Sequence, residues 1–166
     1  LGTPASINMA VPVVSLAPPV PTASAEAAKA AADRMAADLV VARGNDSWTI
    51  AGTSLAPLIT FAPAADGSIT PIFDESGLDP LVKTLAKSVN QKVQDAGLKL
   101  VSHHIVTTGA SREGRTLNAA GMKAALVNAI RARQAGAPAA PVAAVVKAVK
   151  PKLSTARQVS EVTVRG

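Results

Sequence analysis

Apolar and polar positions alternate between two periods along this chain, and the switches predict its elements. Ala28, Ala31, Met35 and Leu39 recur at three- and four-residue spacing, predicting a helix from about Ser24 to Val41. Thr22 or Ser24 can cap it, and Glu26 falls in its first turn, where a carboxylate suits the positive helix end. Gly44-Asn45-Asp46 reads as a turn before a short alternating strand at Trp48-Thr49-Ile50. Leu58–Phe61 is a further short element, and Ala65-Asp66-Gly67 turns into a strand at Ser68–Phe73, giving a hairpin.

The helical period returns at Leu78, Val82, Leu85 and Val89. This second helix is expected to start at Asp79-Pro80, with Asp79 as cap, and to stop by Gly97. Leu98–Thr107 reads as one long strand and Thr108–Arg115 as a polar loop. Asn118 can cap a third helix with the stripe Met122, Leu126 and Ile130, closed by Gly136, with Arg131 and Arg133 suiting its last turn. Val142–Val149 is a last extended segment. Residues 1–22 are rich in proline and valine, with a strand expected at Val11–Leu16. The pattern is α+β: about three helices packed on a small, mostly antiparallel sheet of four to six short strands. Residues 1–22 form a lead-in, 23–141 the domain, and 142–166 an exit strand and linker.

Val13-Val14, Pro19 and Thr22 recur as Val145-Val146, Pro151 and Ser154 at a single offset of 132 residues. This echo leaves open a true repeat, in which the chain departs from the domain as it enters it. The first residues, Leu1-Gly2-Thr3-Pro4, read as a cut from a longer chain.

Composition narrows the chemistry. Of 166 residues, 48% are apolar but only 2% aromatic, so Ala, Val, Leu and Ile must build the core. That scarcity argues against an aromatic-lined sugar cleft and against base-stacking nucleic-acid modules. With no cysteine, disulfides, thiolate metal sites and thiol nucleophiles are excluded. No apolar run is long enough to span a bilayer. The net charge of +6 is unevenly spread: 4 basic and 8 acidic residues up to Lys83, then 13 basic and 3 acidic. A basic second half favours polyanions, although its Lys and Arg are spaced singly and nucleic acid is not the expected partner.

Candidate chemistry is sparse. His103 and His104 are neighbours that a strand would point to opposite faces, so they read as structural rather than as a metal pair. Asp74, Glu75 and Asp79 gather where a helix start asks for carboxylates, without the spacing of a calcium loop. Trp48 reads as core packing rather than a ligand platform. Arg112, Glu113 and Arg115 stand in the most polar loop, where two guanidiniums beside a carboxylate could hold an anionic group. No phosphate loop or nucleophile elbow is present, no catalytic residues are found, and no cofactor or metal is expected.

The order of these features resembles a known module. Pro19–Thr22 before an Ala-rich helix, Asp46-Ser47-Trp48-Thr49-Ile50, Ile72-Phe73-Asp74 leading to Leu78–Val89, Gly114-Arg115-Thr116-Leu117-Asn118, and Lys150-Pro151-Lys152-Leu153-Ser154 follow one another as in the peptidoglycan-binding-type domain. That domain stands in tandem before VanW domains of vancomycin-resistance-type proteins, and before the catalytic domain of some L,D-transpeptidases. The resemblance covers roughly residues 10–157. It departs at Asn118, where the family often carries an acidic residue; Asn caps as well. It implies a non-catalytic, extracytoplasmic part of a bacterial envelope protein, with any membrane anchor outside this stretch. It also implies peptidoglycan or another anionic wall polymer, and the neighbouring domains of the same chain, as partners. A purely architectural spacer with no ligand is the first alternative, and a polyanion (nucleic-acid) binding domain, resting on charge alone, the second. The resemblance supplies no binding residues; Arg112, Glu113 and Arg115 are proposed on their chemistry.

Overall fold

The structure, a computed structural model, describes residues 20–101 and 104–154, without the side chains of residues 104 and 105. The strand expected at Val11–Leu16, the first copy of the echo up to Pro19, and His103 lie outside the described residues.

Helix α1 spans Thr22–Met35 and buries Ala28, Ala31 and Met35, the predicted stripe up to that point, together with Ala32. It ends six residues earlier than expected. Leu39–Arg43 is instead strand β1, paired antiparallel with β2 (Asp46–Ile50) from Leu39↔Ile50 to Arg43↔Asp46. The β-branched Val40 and Val41 suit a pleated surface better than a helix. Gly44, at φ 58°, supplies the left-handed residue that a two-residue hairpin turn needs. Neither Thr22 nor Ser24 caps α1; Pro21 holds that position, and the Ser24 hydroxyl accepts a bond from the Ile69 amide at 3.0 Å.

A short helix α2 (Gly52–Leu55) and a 3₁₀ turn lead into β3 (Ile59–Pro63), which pairs with β4 (Ile69–Phe73) as the expected hairpin and packs on α1. Helix α3 covers Leu78–Val89 and buries Leu78, Val82, Leu85 and Val89, as the periodicity predicts. Its start differs from expectation. Asp79 lies inside the first turn of α3, whose cap position is Gly77; Asp74 caps the 3₁₀ turn that runs into α3, its carboxylate accepting from the Ser76 amide at 2.9 Å. The helix stops at Val89, within the expected bound of Gly97, because Asn90 turns extended and residues 91–94 bridge to 112–115 through Gln91–Arg115 and Gln94–Arg112 backbone pairs.

The single strand expected over Leu98–Thr107 is two strands. β5 (Gly97–Val101) pairs antiparallel with β6 (His104–Gly109), and two residues separate the paired Val101 and His104. Strand β7 (Gly114–Leu117) pairs with β9 (Val146–Val149), and β8 (Val142–Ala143) adds to β1 in parallel. Helix α4 (Ala119–Gln134) begins as predicted, with the Asn118 side chain accepting from the Gly121 amide at 3.1 Å. Gly136, at φ 96°, follows its end.

The fold is α+β: the described residues form four α-helices and short strands in small sheets. Met35, Leu39, Leu55, Leu78, Met122, Leu126 and Ile130 are fully buried together with Val41 and Val89. As composition requires, aliphatic residues build the centre; two methionines join them, and Trp48 and Phe73 only pack against its edge.

Candidate functional site

Strand β7 and the loop before it carry the residues singled out in the sequence. Along β7, Gly114 and Leu117 are buried, Arg115 is half-buried and Thr116 is exposed. A β-carbon on Gly114 would meet the Val93 amide nitrogen at 2.6 Å, so this strand lies close against the segment after α3.

Arg115 is engaged by the protein. Its Nε donates to the Val89 carbonyl at 2.8 Å, and Nη1 lies 2.9 Å from an Asp46 carboxylate oxygen. Its guanidinium carbon stands 5.6 Å from the centroid of the Trp48 ring, in cation–π range. Three elements, α3, β2 and β7, thus converge on one side chain. Arg112 and Glu113 are different. Arg112 is fixed through its backbone to Gln94, by bonds of 2.8 and 2.9 Å, and its side chain is exposed. The Glu113 carbonyl accepts from Gln91 Nε2 at 3.3 Å, while its carboxylate has no cationic partner among the described residues.

Glu113 borders a shallow cleft of about 360 Å³ with Ser111, Lys150, Pro151, Lys152 and Ser154. Two segments far apart in sequence meet here. The exit segment is held by Asp95, whose carboxylate accepts from the Lys152 and Leu153 amides at 2.7 and 3.3 Å, and by the Ala96 amide on the Leu153 carbonyl at 2.9 Å. Lys150 and Lys152 are exposed, and neither ammonium is ion-paired among the described residues. Their convergence with the loop was missed in the sequence. The signal available was the lysine pair flanking Pro151, but spacing alone does not say which loop it approaches.

Next to this cleft is one of about 520 Å³, bordered by Gln91, Lys92, Arg115, Thr116 and Val149. A third, of about 340 Å³, lies between β2 and α3. Val149 of the second adjoins Lys150 of the first, and Asn90 of the second is two residues from Ser88 of the third.

The acidic group at the start of α3 is dispersed among partners. Asp74 is bonded to both the amide and the hydroxyl of Ser76, which hold its carboxyl below the ordinary carboxylate range. Glu75 pairs with Arg131, and Asp79 with Lys123 at 2.5 Å, tying α3 to α4. Among the described residues no three His, Asp or Glu side chains gather as a metal site, and no helix is long and apolar enough to cross a membrane. The His104 side chain and all of His103 lie outside the described residues.

No family model and no curated protein matches the chain. Two solved structures are similar to it: one of the Ldtfm-avibactam carbamoyl enzyme, TM-score 0.47, and one of an Enterococcus faecium L,D-transpeptidase mutant, TM-score 0.46. Identity is 18% in each case, over 72% of this chain. The chain spans less than half of either, 44% and 45% respectively.

Proposed function

We propose that this chain is a non-catalytic module of a bacterial cell-envelope protein, working outside the cytoplasm, that binds peptidoglycan or a related anionic wall polymer and positions a neighbouring VanW-type or L,D-transpeptidase domain. The observation that carries this reading is the cleft where the 111–113 loop meets Lys150 and Lys152. Two unpaired ammonium groups on a firmly held backbone attract carboxylates of stem peptides or phosphates of wall polymers. Glu113 at the rim tempers the field and offers an acceptor to an amine or hydroxyl on the same ligand. Because the groups are exposed, their attraction is screened by salt over about 8 Å at physiological ionic strength. The same anchoring by Asp95 and Ala96 supports the positioning role, since the chain passes Ser154 from a fixed base.

Sedimentation with insoluble cell wall tests the reading. The chain is expected in the pellet at low salt and less of it there at high salt, with K150E/K152E pelleting less than the unaltered chain at low salt. Failure of wall to sediment the unaltered chain at low salt sinks the binding half and leaves a spacer.

A further inference from the structure

The groove between β2 and α3 has a chemistry unlike that of the lysine cleft. Trp48, Ile50, Leu81 and Leu85 give it an apolar floor, and no ionisable side chain borders it. Around that floor stand the hydroxyls of Thr49, Ser54, Thr84 and Ser88, all on exposed residues. Thr84 donates to the Pro80 carbonyl at 3.0 Å; the hydroxyls of Thr49, Ser54 and Ser88 make no hydrogen bond with described residues. Trp48 is set in place by Arg115, itself anchored to Asp46 and to the Val89 carbonyl. The indole therefore does not have to be ordered when a ligand arrives, which lowers the entropy cost of binding.

An uncharged groove with an indole, an aliphatic floor and a ring of hydroxyls fits a ligand that is neutral, apolar on one face and polar at its edge. A charged peptide or phosphate would leave water there without an ionic partner. A pyranose ring has the required form: C–H bonds for the indole, hydroxyls for the serines and threonines. We infer that this groove is a subsite for a neutral N-acetylhexosamine ring of a glycan strand, separate from the lysine cleft. The choice of that sugar rests on the reading of the chain as a wall-binding module; the neutral saccharide chemistry rests on the groove. Scarcity of aromatics excludes a long stacked cleft, but one ring-sized subsite needs a single indole.

Trp48 is the sole tryptophan in the chain, so its fluorescence reports on this groove alone. The probe is a soluble β-1,4-linked N-acetylglucosamine tetramer, which carries no charge. The expected result is a saturable change in Trp48 emission with a dissociation constant on the order of 1 mM, unaltered by added salt. It should vanish in S54Q/S88Q, where two longer side chains fill the groove from exposed positions, with the urea midpoint confirming that the variant is folded. K150E/K152E should bind the tetramer as the unaltered chain does. No emission change up to about 10 mM tetramer, or an unchanged response in folded S54Q/S88Q, overturns the subsite. Tetramer binding without wall sedimentation would remove the wall reading and leave the saccharide groove standing.

Discussion

Arg34 and Arg133 each serve the helix end of the other. Arg34, in the last turn of α1, donates through Nε to the Arg133 carbonyl at 3.1 Å, at the end of α4. Arg133 in turn donates through its two terminal nitrogens to the carbonyls of Ala37 and Asp38, at 2.7 and 2.9 Å, just past α1. The Arg133 carbonyl also accepts from the Gly136 amide at 3.0 Å, while Ala37 and Asp38 lie between α1 and β1, so the two guanidiniums tie the ends of the helices together through backbone acceptors. Arg133 is only 4% exposed, and burial pushes its guanidinium below its ordinary pKa, with the nearby Asp38 charge acting in the opposite direction. It stays charged at neutral pH.

Replacing Arg133 therefore removes two charge-assisted bonds and strands two backbone acceptors. R133A is expected to lower unfolding free energy by about 2–4 kcal/mol, read from urea denaturation. R133K should recover only part, because an ammonium cannot reach both carbonyls as a planar fork does. R34A, which loses the bond to the Arg133 carbonyl and a longer, exposed one to the Gln134 carbonyl at 3.4 Å, should cost less. A loss in R133A no greater than in R34A would show that the mutual capping contributes little.

Arg115 offers a second test, because sequence chemistry marked it as a ligand group and the structure surrounds it with protein partners. Its bond to the Val89 carbonyl is part-buried, while its Asp46 partner is half exposed and adds less. R115A should cost about 2 kcal/mol in stability and shift Trp48 emission, since the indole loses its cationic neighbour. R112A, with an exposed side chain, should stay within about 0.5 kcal/mol of the unaltered protein. Equal stabilities for the two variants would put Arg115 among the solvated residues.

Periodicity was enough for α3 and α4, because Leu78, Val82, Leu85, Met122, Leu126 and Ile130 repeat at helical spacing over three turns. It failed where two periods overlap. Leu39 continues the α1 stripe, yet it also starts a β-branched run, and long-range pairing with Trp48-Thr49-Ile50 decides for the strand. Leu98–Thr107 reads as extended in either case; that it pairs with itself as β5 and β6 is a tertiary fact which apolar patterning does not weigh. The candidate site was legible only in part. Glu113 does reach a cleft, but Lys150 and Lys152 come to it through a pairing of β7 with β9 that no local signal announces.

Acid stability provides a third test. Ser76 holds the Asp74 carboxyl below its ordinary range, through its hydroxyl first and its amide second, and Ser68 does the same for Asp66. A carboxyl with a depressed folded-state pKa contributes stability above its unfolded value, and loses it as pH falls through the folded value. Stability from these two turns should be level from neutral pH to about pH 5, then decline below about pH 4. D74N and D66N keep an acceptor but cannot titrate, so the double variant should show a shallower acid limb in thermal melts. An acid limb identical to that of the unaltered protein would mean that these turns do not couple to folding.

The last prediction concerns a close approach that the sequence leaves unmarked. Gly52 opens α2, and its amide donates to the Asp38 carboxylate at 2.7 Å. A β-carbon there would overlap the carbonyl oxygen of Ala36, the residue that follows the last turn of α1. That obstacle is backbone, so no rotamer change relieves it, and either α1's end or the Gly52–Asp38 bond must move. G52A should cost about 3 kcal/mol, at the upper end for overpacking. Gly44 makes the comparison informative, because its φ of 58° disfavours other residues while open space surrounds its would-be β-carbon. G44A should cost only about 1 kcal/mol, from backbone conformation alone. Urea midpoints of the two variants separate crowding from conformation; if G44A proves the more damaging, the contact between α1 and α2 is looser than the packing of Gly52 against Ala36 requires.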